Sequence, residues 1–107
     1  ELEFKESAYM LLLNRANETL AIREIATGTL SGVMMPIGQT FAVALKCNAS
    51  SIIVAHNHPS GNLKASNADI TMANKMQKAG ELLEVKCLDF LIITSDGYTS
   101  FKDEGLV

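Results

Sequence analysis

Apolar residues fall along this chain in short blocks separated by turn-forming ones. Tyr9-Met10-Leu11-Leu12-Leu13 is a run broken at Asn14-Arg15-Ala16-Asn17, after which Leu20 and Ile22 alternate with Ala21 and Arg23 on the way to Ala26. Two such segments on either side of a turn predict a β-hairpin. Gly28 and Gly32 punctuate a linking stretch around Leu30. Beyond Pro36 and Gly38, Phe41, Ala42, Leu45 and Ala49 recur at helical spacing and predict a helix over 39–48. Ser51 to Ala55 reads as a short buried strand, bounded downstream by the turn signal Pro59-Ser60-Gly61. Ser66 opens the clearest helix: Asp69, Met72, Ala73, Met76, Ala79 and Leu83 lie along one stripe at a period of about 3.6. Gly80 reads as a fraying point near its end. Val85 to Thr94 predicts a longer strand, Ser95-Asp96-Gly97 a turn, and Tyr98 to Phe101 a closing strand. The order strand, strand, helix, strand, helix, strand, strand predicts an α/β domain with helices packed on a mixed β-sheet.

Size and charge narrow the class. A chain of 107 residues has room for one core, so 1–107 is expected to be a single domain. Charged residues make up 20% of it, too many apolar positions remaining for disorder. The net charge is −3, with lysines and arginines scattered, which removes the basic stripe that tracks phosphates. No apolar run approaches the ~18 residues of a membrane span, and the acidic start Glu1-Leu2-Glu3-Phe4 is unlike a signal peptide. The first residue is not methionine, the expectation being a fragment of a longer chain. Cys47 and Cys87 lack zinc-type spacing and fall in apolar stretches; they are expected to be reduced core residues, and the address cytoplasmic.

The chemistry is concentrated at His56-Asn57-His58-Pro59-Ser60-Gly61, with Ser66 and Asp69 beyond it. His56 and His58 are the only two histidines, and at i, i+2 on a strand both imidazoles point to one face. Two imidazoles and the Asp69 carboxylate make three ligands, the number a catalytic zinc uses while keeping a fourth position for water. The plainer reading of the same residues is structural, the imidazoles bonding loop carbonyls. Asp69 likewise has a second role: with Ser66 as N-cap it forms a variant capping box on the first helical turn. The two roles are compatible, because a cap fixes the carboxylate rigidly. Ser66 is open between capping and donating to a developing oxyanion. Water on a zinc has its pKa lowered towards about 7, and a neighbouring carboxylate is then needed to move its proton. Glu3, Glu6 and Glu24 all fall near the first two strands, and spacing does not choose among them. A cupin-type site needs a third histidine, and a metallo-β-lactamase site needs Asp-His where Ser60-Gly61 stand.

The spacing His56-x-His58, seven residues to Ser66 and two more to Asp69 resembles the JAMM pattern of the JAB/MPN metalloprotease superfamily. The longer string His-Asn-His-Pro-Ser-Gly-Asn-Leu-Lys over 56–64 is similar to the bacterial RadC family, as are Leu11-Leu12-Leu13-Asn14-Arg15-Ala16-Asn17 and the tail from Gly97-Tyr98 through Asp103-Glu104-Gly105-Leu106. The resemblance covers essentially the whole chain. It implies a JAB/MPN-like fold with a cytidine-deaminase-like layout, forming the C-terminal part of a longer RadC-like protein. It also implies zinc as cofactor, His56, His58 and Asp69 as its ligands, Ser66 supporting the transition state, and Glu6, just ahead of the first core strand, as the general base, with Glu24 in reserve. Two places depart from the family: Pro36-Ile37-Gly38-Gln39-Thr40, where relatives usually carry a Pro-Arg opening, and Phe90, where they often carry histidine. Neither touches the ligand set.

The activity expected on this basis is zinc-dependent hydrolysis of peptide or isopeptide bonds, with a peptide or protein as partner and no membrane. RadC-like proteins carry a DNA-repair association, so the alternative is a nucleic-acid-associated or scaffolding module with a structural or vestigial metal site. At net charge −3, DNA is expected only through the missing N-terminal region. Neither the substrate nor the oligomeric state is legible.

Overall fold

A computed structural model describes residues 6–28 and 36–107, the side chains of 26–28 excepted. Among these residues, five strands and two helices follow in the predicted order: β1 Glu6–Leu13, β2 Thr19–Gly28, α1 Ile37–Lys46, β3 Ser51–Asn57, α2 Asn67–Leu83, β4 Lys86–Thr94 and β5 Gly97–Ser100. They form an α/β structure around one mixed sheet of order β2-β1-β3-β4-β5. The β1–β2, β1–β3 and β4–β5 pairs are antiparallel, whereas β3 and β4 run parallel with α2 as their crossover.

Strand alternation decides which side chains meet the helices. Met10 and Leu12 on β1, Ile52 and Val54 on β3, and Phe90 and Ile92 on β4 are buried together with Phe41 and Ala44 of α1 and Ala73 and Met76 of α2. The two helices also touch each other, so both lie on one face of the sheet. Three bulges adjust the register: β2 carries an extra residue at Ile25 against Ala8/Tyr9, β4 one at Leu88 against Ile52/Ile53, and β2 another at Leu20 against Leu12/Leu13. Behind the second bulge, Asp89 accepts from the backbone of Phe90 and Lys102 and from the Ser100 hydroxyl (2.7, 3.0 and 2.5 Å), pinning β5 and the chain after it.

The helices differ from the predicted stripes. In α1 the buried residues are Thr40, Phe41 and Ala44, while Leu45 is 47% exposed. The helix ends at Cys47, and Asn48 takes the left-handed conformation (φ 54°) that stops it. In α2 the stripe ends on Gly80 instead of Leu83, which is 42% exposed. Gly80 is no fraying point. A β-carbon there would overlap the Val85 carbonyl oxygen and stand 3.2 Å from the Cys87 sulfur, so glycine is what lets α2 close onto β4. Both cysteines are free. Burial pushes the Cys87 thiol up to about 11, and its sulfur donates to the Met76 carbonyl; Cys47 is half-buried against the core.

Candidate metal centre

The last turn of β3 and the first turn of α2 build the site. Ala8 of β1 pairs with His56, and Ile92 of β4 flanks it on the other side, so this imidazole is held in the centre of the sheet and buried. His56 continues the Ile52, Val54 row and points to the helical face. His58 follows just past the strand, its backbone N–H donating to the Ile93 carbonyl at 3.0 Å. Ser66 caps α2: its hydroxyl oxygen accepts from the Asp69 N–H (3.0 Å), and Asp69 Oδ2 accepts from the Ser66 N–H (2.8 Å). Asp69 is thereby fixed with its carboxylate towards the histidines.

Donor groups of three residues converge. His56 Nε2 lies 3.0 Å from His58 Nε2 and 3.2 Å from Asp69 Oδ1, and His58 Nε2 lies 3.4 Å from Asp69 Oδ2. Zinc bonds of ~2.0–2.1 Å in a tetrahedron set their donors about 3.3 Å apart. One donor atom from each residue lies within 4.8 Å of the others, and the chemistry of the donors fits a metal ion such as zinc with three protein ligands.

The loop between them fixes a tautomer. His58 Nδ1 is 2.7 Å from the Asn62 carbonyl. A carbonyl only accepts, so the ring proton sits on Nδ1 and leaves Nε2 of the neutral ring with its lone pair turned to the centre. The loop is held in turn. Gly61 (φ +83°) takes the left-handed turn, and its N–H donates to the His58 carbonyl. Asn62 Oδ1 accepts from the Lys64 N–H (2.9 Å), and the Thr99 hydroxyl of β5 donates to the Leu63 carbonyl (2.7 Å). Asn57, between the histidines, accepts from the Ser7 N–H at 2.6 Å and ties β1 to the end of β3. Sequence reasoning missed the part played by Asn62, because it acts through its backbone carbonyl and no side-chain pattern marks it.

Electrostatics agree with the geometry. Burial alone would raise the Asp69 carboxyl, but hydrogen bonds from the His56 ring and the Ser66 backbone, and the charge on His56, outweigh it. The carboxyl is held well below the usual carboxylate range. The site thus keeps the carboxylate charged beside two imidazoles.

Of the other candidates, Ser66 is exposed and caps the helix. Glu6 is the first residue of β1, not ahead of it. It precedes Ala8 by two residues as His58 follows His56 by two, so the antiparallel register brings it to the end of the sheet where His58 stands, in the row of Ala8, Met10 and Leu12. Glu6 is not one of the three clustered residues. Glu24 is exposed and pairs with Tyr9, whose row faces away from the helices. Glu3 lies outside the described residues. No helix among the described residues is long and apolar enough to cross a membrane.

Comparison with known proteins agrees with this architecture. The model of the RadC-like JAB domain family matches residues 1–106. A UPF0758 protein of Flavobacterium johnsoniae is 40% identical over 101 residues, 94% of this chain and 44% of that protein. One from Chlorobaculum parvum is 37% identical over 98% of this chain and 47% of its own length, and one from Haemophilus ducreyi 41% over 97% and 48%. The chain spans just under half the length of these curated relatives. It belongs to the RadC-like JAB domain family.

Proposed function

We propose that this member of the RadC-like JAB domain family is a zinc-dependent hydrolase of peptide or isopeptide bonds. The observation that carries the reading is the convergence of His56 Nε2 and His58 Nε2, 3.0 Å apart, on the Asp69 carboxylate, whose Oδ1 lies 3.2 Å from the first and whose Oδ2 lies 3.4 Å from the second. His56, His58 and Asp69 hold the metal. Zinc bound there supplies a Lewis acid for the amide carbonyl and lowers the pKa of water towards about 7.

The chain's own groups do the rest. The Asn62 carbonyl orients His58, and Ser66 orients Asp69, so the donor set is preorganised. Glu6, at the sheet end beside His58, takes a proton from the attacking water and returns it to the leaving amine. The Ser66 hydroxyl accepts the Asp69 N–H, so its own hydrogen is free to be given to the carbonyl oxygen as that oxygen gains charge. Nothing in the net charge of −3 favours DNA, and DNA contact in a repair role is assigned to the part of the relatives that this chain does not cover.

The test is metal content by plasma mass spectrometry, followed by hydrolysis of a peptide and isopeptide panel. The expected result is about one zinc per chain, lost in His58→Ala. Turnover is expected to vanish in Glu6→Gln with zinc retained. Wild-type protein that is folded yet takes up no zinc overturns the reading. Unchanged turnover in Glu6→Gln removes Glu6 from its role.

A further inference from the structure

The sheet has two unlike faces, and among the described residues the helices cover only one. On the other, register sets Tyr9 beside Ala55, Ala55 beside Leu91, and Ile93 beside Tyr98. Ile93 is 43% and Tyr98 65% exposed. Where this apolar face reaches the end of β3, Tyr9, Ala55, Pro59 and Ile93 line a cavity of about 250 Å³. His56 and His58 lie in the wall of the same cavity, and Asp69 does not. The cavity therefore abuts the histidine pair on the side away from the carboxylate.

Its chemistry is selective. Apart from the histidines, the described residues lining it are apolar or neutral: Ser7, Asn57, Thr94 and Ser95 supply its polar atoms. No carboxylate, ammonium or guanidinium is among the described residues that line it, so a lysine or glutamate side chain deep in it would be desolvated without an ion-pair partner in the wall, whereas an aliphatic or aromatic one would be removed from water at no polar cost.

We propose that this cavity is a specificity pocket that takes the apolar side chain of the substrate residue next to the scissile amide. The inference rests on the hydrolase reading above and narrows its substrate class to peptides or isopeptides with a leucine-like or phenylalanine-like residue at the cleavage point. Ile93 and Ala55 set the selectivity through their side chains. The Ile93 carbonyl that holds His58 is backbone, and substitution leaves it in place.

Hydroxamates test the pocket without turnover, because they bind zinc and carry one side chain at a time. The zinc-loaded chain, its metal content checked, is titrated calorimetrically with the hydroxamates of N-acetylglycine, N-acetyl-leucine and N-acetyl-aspartate. Succinyl and 2-isobutylsuccinyl hydroxamates place the side chain on the opposite side of the zinc-binding group. In one of the two series the isobutyl group is expected to tighten binding about tenfold or more, with no gain for aspartate. In Ile93→Ser the isobutyl gain is expected to disappear while glycine hydroxamate binds as before. Ala55→Val, which fills the cavity without adding polarity, gives the same loss should the first variant fold poorly. Equal affinity for the glycine and leucine compounds and for the two succinyl compounds overturns the pocket while leaving the metal centre standing. So does an isobutyl gain that survives both substitutions. A folded protein that binds neither zinc nor any hydroxamate overturns the hydrolase reading, and the pocket with it.

Discussion

Replacing Asp69 by asparagine separates the two jobs that one carboxylate performs. Its Oδ2 accepts the Ser66 N–H in the capping box, and both oxygens face the histidines at 3.2 and 3.4 Å. An amide keeps an acceptor for Ser66 but loses the charge. Without metal the cost is a weaker cap at the helix end and a weaker contact with the histidines, about 1–2 kcal/mol. With metal the loss is larger. Free zinc at ~100 times its Kd stabilises the wild type by about 2.7 kcal/mol. At about 4–8 °C per kcal/mol for a domain of this size, Tm rises by roughly 10–20 °C. Removing a charged ligand weakens affinity by at least the ~100-fold that reaches metals through outer contacts. At the same free zinc the increment then falls to about 0.4 kcal/mol, ~3 °C or less. Scanning calorimetry on chelator-stripped protein, repeated at fixed buffered zinc, measures both terms. Ser66→Ala is the control: it gives up a cap of about 1 kcal/mol yet keeps most of the zinc increment. If Asp69→Asn shows the full wild-type rise with zinc, Asp69 is a helix cap and not a ligand.

Three further substitutions probe what holds the site. Gly80→Ala gains about 1 kcal/mol of helix propensity, but its β-carbon meets the Val85 carbonyl. A net destabilisation of about 1–3 kcal/mol is expected in urea unfolding, and a more stable variant would contradict the packing described. Thr99→Val removes the hydroxyl that holds the Leu63 carbonyl; it is expected to cost about 1 kcal/mol and to weaken zinc about tenfold in a competition titration, whereas unchanged affinity would show that the ligand loop holds itself. Ser51 Oγ is buried with no hydrogen-bond partner among the described residues, so Ser51→Ala is expected to raise stability by about 1 kcal/mol, and a fall would reveal a partner for that hydroxyl.

Local signals carried the order of elements and most of the site, because both rest on period and spacing. The alternation in β1 and β2 and the Ser66 cap are properties of a few adjacent residues, and so is the His56–His58 pair. What the sequence left open depends on partners distant along the chain. Leu45 and Leu83 fit a helical stripe as well as Ala44 and Gly80 do, and only the seat of α1 and α2 on the sheet decides which are buried. Gly80 looks like a weak point from propensity and is a contact from packing. The glutamates show the same dependence. Glu6 and Glu24 are equivalent in spacing, but antiparallel pairing sets Glu6 in the row of Ala8 and Met10, opposite the end of β3, and sets Glu24 beside Tyr9 in the row facing away. A slip of one residue in either pairing would exchange those faces. The pairing of Ala8 with His56 thus does more than close the sheet: it sets Glu6 in the row that faces the helices, and it places Tyr9 and Ala55 together on the opposite side, where the apolar cavity begins.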